Sequence, residues 1–229
     1  MIASRIKNFP LWKRALDLAA VGLSAPCWIP LSVLIGLSVK IASPGPAFFR
    51  QTRVGYHGRP FLCLKFRTMN VSADTGIHHR HLAHLIKSDE PMTKLDARDS
   101  RLIHGGRLLR ALGLDELPQL LNVLRGEMSL VGPRPCLEYE YEQFSQRHRE
   151  RFETLPGLTG LWQVSGKNRT TFEQMMNLDI RYVREKSLWL DLKILAKTIP
   201  AILIQVYETK FQKHLSRIAS QKIFRAVEK

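Results

Sequence analysis

Residues 18–39 read LAAVGLSAPCWIPLSVLIGLSV, 22 positions without a charged side chain. A straight helix of that length reaches about 33 Å, enough to cross a hydrocarbon layer roughly 30 Å thick. Pro26 and Pro30 stand one turn apart at its middle. Each lacks a backbone N–H and crowds the preceding turn, so the spacing predicts a kink. Each leg then measures roughly 15 to 18 Å, half of the layer. Ser24 and Ser32 lie near the break, and their hydroxyls are expected to bond the carbonyls the prolines release. Both flanks are basic: Lys7, Lys13 and Arg14 before, Lys40, Arg50 and Arg53 after. Positive flanks stay on the cytoplasmic side, so both ends are expected on one face of the membrane. A re-entrant helix–break–helix meets this condition; a single span and a buried core helix are the alternatives. No cleavable leader is expected, because the apolar run begins only near Leu16 and no small-residue cleavage site follows.

The chain has 229 residues, of which 45% are hydrophobic, so it can bury a good-sized core. Its net charge of +15 directs it toward a polyanion: nucleic acid, anionic lipid or a phosphorylated substrate. Aromatic residues make up only 8% and fall mostly in apolar patterns, which argues against a stacking groove for nucleic acid. Cys27, Cys63 and Cys136 are too few and too widely spaced for a disulfide framework or a zinc site.

Beyond Ser43-Pro44-Gly45-Pro46, residues 47–53 and 61–68 alternate like strands, and Tyr56-His57-Gly58-Arg59 between them reads as a hairpin turn. On the second strand Leu62, Leu64 and Phe66 share one face. Cys63, Lys65 and Arg67 share the other, which is either a solvated face or a cationic pair about 7 Å apart along the strand. Residues 70–100 form a polar insertion. Its His78, His79, His81 and His84 lack the acid or cysteine that would complete a metal site. Residues 101–112 predict a short helix interrupted at Gly105-Gly106, with Arg107 and Arg110 one turn apart.

The stretch from Gly113 to Pro135 reads GLDELPQLLNVLRGEMSLVGPRP. Leu117, Leu120, Leu121 and Leu124 follow helical spacing, and Gly126 terminates it. Pro118 fits only a first turn, so the helix is expected to begin between Leu114 and Glu116. Asp115 and Glu116 then stand at its N-terminus, where acids belong for capping and dipole reasons alone. The local pattern leaves a structural and a catalytic reading open. Pro133 and Pro135 hold Arg134 in extended backbone.

Taken together, KRALDL, SPGPAFFRQTRVG, LKFRTM, LDELPQLLNVLRGEMSLVGPRP, PGLTGLWQVSGKNR and LDIRYVREKSLWLDLKIL resemble the bacterial sugar transferases, monotopic phosphoglycosyl transferases, over residues 12–204. The resemblance implies transfer of a sugar-1-phosphate from a UDP-sugar to polyprenol phosphate, at the cytoplasmic face of the bacterial inner membrane. It implies Asp115 as nucleophile and Glu116 as its partner at a Mg²⁺ site. It implies Lys65, Arg67, Arg110 and Arg134 as anion-binding residues, and Gln163, Asn168 and Arg169 near the nucleotide sugar. A carboxylate attacks a phosphoryl group only when the approaching negative charges are neutralised, which arginines, a divalent ion and a helix N-terminus do. One departure is that Ile29-Pro30 stands where the family commonly has Ser-Pro.

The expected fold is α+β and mostly helical: a re-entrant membrane helix, a short β-hairpin and amphipathic interfacial helices. Three parts are expected: residues 1–42, a catalytic region 43–204, and a basic amphipathic tail 205–229. In the tail Tyr207, Phe211, Leu215 and Ile218 share a face, with Lys210, Lys213, Arg217, Lys222 and Arg225 interspersed, which suits an interfacial helix on anionic lipid; a solvated basic tail is the alternative. A homo-oligomer is compatible with this reading. A non-catalytic membrane scaffold of the same fold and, more remotely, a nucleic-acid-binding protein are the competing functions.

Overall fold

A computed structural model of the chain describes residues 9–70, 81, 83–86, 88–92 and 101–227, with side chains through Tyr207. His78 and His79 lie outside these residues. The architecture mixes helices with two small sheets. Helix α1 spans Leu11–Ala42 and contains both prolines. Strands β1 (Phe48–Val54) and β2 (Pro60–Phe66) form the expected antiparallel hairpin. His57 and Gly58 take left-handed φ values of 54° and 72° at its turn. Helices α2 (Gly106–Leu112) and α3 (Gln119–Leu124) follow, then β3 (Ser129–Val131), α4 (Glu138–Glu142), β4 (Gly157–Thr159) and α5 (Leu161–Val164). Helix α6 covers Phe172–Glu185, and α7 runs from Leu188 to Val227.

Both ends of α1 pack on the same body. Val21 joins Cys63, Leu120, Val123 and Met128 in one cluster. Ile35 and Val39 join Phe66 and Ile103 in another. Between these anchors Leu23, Ile29, Leu31, Val33 and Leu34 are exposed. Near the prolines, Ser24 Oγ donates to Ala20 O at 2.6 Å and Trp28 Nε1 to Val21 O at 3.1 Å. The carbonyls that Pro26 and Pro30 deprive of a helical N–H are those of Gly22 and Pro26, one residue or more further along. Ser32 departs from expectation, since its buried hydroxyl has no hydrogen-bond partner among the described residues. Trp28 supplies the second local bond instead.

The N-terminal charges also differ from expectation. Lys13 is fully buried, and its ammonium meets the carboxylate of Asp191 and, at 2.8 Å, the hydroxyl of Tyr182. Tyr182 in turn lies 2.7 Å from Asp191 Oδ1 and 3.1 Å from Val131 O. Asp17, one turn after Lys13, accepts from Ser129 Oγ at 3.0 Å and Leu130 N at 2.9 Å. Arg14 donates to Val123 O and Leu124 O at 2.5 and 2.7 Å, capping the carbonyl end of α3. Lys13 and Arg14 are therefore internal ties between α1, β3, α3, α6 and α7 rather than a free basic flank.

The hairpin does not divide cleanly into a core face and an outer face, since Cys63 and Phe66 are buried from opposite faces of β2. Cys63 and Arg67 are buried, while Leu62, Phe48 and Phe49 are exposed. The second sheet pairs β3 with β4 in parallel, Ser129 beside Gly157 and Val131 beside Thr159. It depends on close backbone approach, because a Cβ on Gly157 would lie 2.1 Å from Gly132 N. Helix α6 starts with a capping box, in which Thr171 and Gln174 exchange hydrogen bonds of 3.3 and 3.0 Å. Part of the insertion packs inward: Leu85 is buried, and Met92 N bonds Thr170 O at 2.8 Å. His84 lies 3.3 Å from Glu90.

Two stability outcomes follow from these ties. Gly157→Ala forces backbone apart and should destabilise the fold by about 2–4 kcal/mol, whereas Gly22→Ala, with nothing within 4 Å, should be neutral in the same chemical denaturation. Lys13→Met strands the Asp191 carboxylate in the interior and should cost about 3–5 kcal/mol, part of which Asp191→Asn should restore in the double variant.

Candidate active site

The acid pair sits on a 3₁₀ turn, Leu114–Glu116, between α2 and α3. Gly113, with φ 70°, ends α2 and redirects the chain into it. The sequence places an α-helix start here, but the α-helical pattern begins only at Gln119. The cause is Pro118, which has no N–H to give to Leu114 O. Leu117 N takes that carbonyl instead at 3.3 Å, and Leu120 N bonds Leu117 O at 3.0 Å, so the chain tightens into i→i+3 turns. The change of pitch rotates the helix: Gln119, Leu120, Asn122 and Val123 are buried, whereas Leu124 is exposed. Gly126, with φ 72°, ends it as expected.

Asp115 is 8% exposed and Glu116 is half-buried. Lys65 Nζ lies 2.5 Å from Glu116 Oε1, which ties strand β2 to the acid pair. Asn122 fixes that alignment. Its amide accepts from Leu64 N at 3.1 Å and donates to Leu62 O at 2.7 Å, standing in for a neighbouring strand along β2. Burial pushes the nearby Cys63 thiol up, against the opposing influence of Lys65 and Arg53.

Arg134 is fixed through its backbone. Four successive carbonyls are each held from a different direction: Pro133 O by Gly157 N at 2.9 Å, Arg134 O by Arg151 Nη2 at 2.8 Å, Pro135 O by Arg53 Nη1 at 3.2 Å, and Cys136 O by Val54 N at 2.9 Å. The two prolines offer no N–H, so the carbonyls carry the whole alignment. Arg151 is itself buried and paired with Asp179 at 2.6 Å.

The other predicted residues are each placed by separate contacts. Arg67 donates to Pro46 O at 2.7 Å, Ser43 Oγ at 3.0 Å and Ser43 O at 2.7 Å, fastening the end of α1 to the hairpin. Arg110 Nε bonds Thr68 Oγ1 at 2.9 Å, just past β2. Gln163 donates to Leu158 O at 2.9 Å, and its Oε1 is buried without a partner among the described residues. Asn168 and Arg169 lie on the 3₁₀ turn Lys167–Arg169. Gln205 of α7 joins that turn to α2: it accepts from Lys167 Nζ at 2.8 Å and donates to the carbonyls of Arg110 and Ala111 at 3.3 Å. Sequence reading missed Asn122, Arg53, Arg151 and Gln205. Asn122 did carry a signal, as the one polar residue inside LLNVL.

The carboxylates suit a hard divalent cation. Mg²⁺ is commonly bound by one or two carboxylates completed by water and substrate phosphates. Asp115 and Glu116 supply such a pair, and among the described residues no cluster of three or more His, Cys, Asp or Glu side chains forms a complete protein cage.

Residues 8–205 match the bacterial sugar transferase family. A UDP-glucose:undecaprenyl-phosphate glucose-1-phosphate transferase of Caulobacter vibrioides is 43% identical over 201 residues, covering 84% of this chain and 70% of that protein. The exopolysaccharide production protein ExoY of Rhizobium meliloti is 41% identical, covering 83% of this chain and 84% of that one. A UDP-glucose:undecaprenyl-phosphate glucose-1-phosphate transferase of Escherichia coli is 37% identical over 82% of this chain and 39% of its own length. With the match spanning nearly the whole sequence, the chain belongs to the bacterial sugar transferase family.

Proposed function

We propose that this protein is a phosphoglycosyl transferase that moves a sugar-1-phosphate from a UDP-sugar to polyprenol phosphate at the membrane surface, starting a polysaccharide pathway. The observation that carries the reading is the buried carboxylate of Asp115 beside the Lys65–Glu116 pair at 2.5 Å, in a chain of this family. The names of the Caulobacter and Escherichia relatives support the two substrates.

In the proposed reaction Asp115 attacks the β-phosphorus of the UDP-sugar. An aspartyl O–P bond forms, the bridging P–O bond breaks, and UMP leaves with the bonding pair. A phosphate oxygen of polyprenol phosphate then attacks the same phosphorus, the aspartyl O–P bond breaks, and the carboxylate is restored. Lys65 and Arg134 offset the charge of the approaching phosphates, and the fixed backbone of Arg134 reduces the cost of ordering its fork. Asp115 and Glu116 would hold Mg²⁺, which supplies further neutralisation of phosphate charge. Gln163 Oε1 offers an acceptor to an N–H or hydroxyl of the nucleotide sugar.

The same reading places α1 in one leaflet as a re-entrant helix. Its two ends rest on one body through Lys13, Asp17 and Val21 on one side and Ile35 and Val39 on the other, while its middle is exposed and apolar. Exposed Trp189, Leu192, Ile199 and Leu203 of α7 add apolar surface at the spacing of one helical face.

Mixing the protein with UDP-glucose and other UDP-sugars, Mg²⁺ and polyprenol phosphate should release UMP, and Asp115→Asn should reduce release by about 10³-fold or more while remaining in the membrane fraction. Undiminished release by that variant would remove Asp115 as nucleophile. For topology, Leu11→Cys and Ile41→Cys, both at exposed positions, should be labelled only from the cytoplasmic side in a Cys27→Ser background. Labelling of position 11 from the periplasm contradicts the re-entrant arrangement.

A further inference from the structure

Arg53 stands on the inward face of the hairpin. In the register of the two strands it lies opposite Phe61, so its side chain shares a face with Cys63 and Lys65. It is 8% exposed. Its guanidinium bonds only neutral groups: Pro135 O at 3.2 Å and the side-chain amide oxygen of Gln51 at 2.8 Å. Its Nε is buried and has no partner among the described residues. Among the described residues no carboxylate forms an ion pair with it. Its charged surroundings are Arg134, which opposes its positive charge, and Glu140 and Glu116, which favour it.

A buried cation without a counter-ion is costly. Arginine is not relieved of that cost by losing its proton at any ordinary pH. The neighbouring arginine in the same site shows the usual remedy, since Arg151 is buried against Asp179 at 2.6 Å. Arg53 lacks this remedy, and Arg134, one residue before the carbonyl that Arg53 bonds, adds positive charge rather than offsetting it. An anion bound at this point supplies what the fold omits. Guanidinium suits phosphate oxygens because its planar fork matches their spacing.

We propose that Arg53 is an anion-binding residue whose counter-ion is a phosphate of the bound nucleotide sugar, held jointly with Arg134. This rests on the phosphate-transfer reading above and adds a residue to it. Gln51 and the Pro135 carbonyl take one N–H on each terminal nitrogen, which leaves the second N–H of each to the ligand.

The test measures UDP binding to the full-length protein in detergent with Mg²⁺, by calorimetry and by the ligand-induced rise in Tm. Arg53→Gln should weaken UDP about tenfold or more and abolish the UDP-induced rise, and Arg53→Lys, which keeps charge but loses the fork, should weaken it about threefold or more. Arg50→Gln, at an exposed position on the opposite hairpin face, should stay within about twofold of the parent. An arginine with a structural role alone lowers the ligand-free Tm and leaves the UDP affinity and the UDP-induced rise intact; that result overturns the proposal. If Arg53→Gln does not fold, Arg53→Lys decides, and an unchanged UDP affinity in it is equally contrary. Absence of both UDP binding and UMP release in the parent protein would instead remove the functional reading, and this proposal with it.

Discussion

A lysine ammonium with no exposed surface must be neutralised where it stands, and Lys13 is neutralised by Asp191, 178 residues further along the chain. That single contact fixes the start of the apolar helix to the helix that closes the fold. Tyr182 and Asp17 extend it to α6 and β3, so four elements share one buried polar knot. Such a knot is costly to assemble and more costly to break, because each member left alone would be a buried unpaired group. The helix packs on the body through Val21 and Trp28 and again through Ile35 and Val39, and its exposed apolar side chains between have only lipid to cover them in the proposed arrangement.

The same body holds the groups proposed to react with little freedom. Pro118 removes one helical hydrogen bond and so puts the acid pair on a tight turn facing β2 rather than on a regular helix. Asn122 aligns that turn with the strand that carries Lys65. On the far side, the Gly132–Gly157 approach brings two backbone segments within a distance that no side chain would permit. Arg134 stands on one of those segments with its carbonyls already engaged. Lys65 thus meets Glu116 from a rigid strand and Arg134 stands on a fixed backbone, which lowers the ordering cost of binding a multiply charged ligand in the proposed reaction.

Much of this was legible in the sequence because local rules decided it. The hairpin followed from alternation and from His57-Gly58, and the break between α2 and α3 followed from glycine and proline. What failed were inferences about charge. Lys13, Arg14 and Arg53 read as flanks of an apolar segment, since nothing nearby in the chain offers them a partner. Their partners come from residues brought close only by folding: Asp191, the α3 carbonyls and Pro135. The leucine pattern of α3 misled for a related reason, because a 3.6-residue period was applied across turns that have a different pitch. On β2 the alternation did not separate inside from outside, because Cys63 and Phe66 are buried from opposite faces while Leu62 stays exposed.

The central claim is that a carboxylate at this site becomes joined to a sugar phosphate. It is tested most directly by incubating the intact protein with a UDP-sugar and no lipid acceptor, then measuring its mass and mapping the modified peptide. The account predicts an added mass of one phosphosugar on Asp115, discharged when polyprenol phosphate is supplied. A protein that turns over its substrates yet never carries that mass, or carries it on another residue, contradicts it.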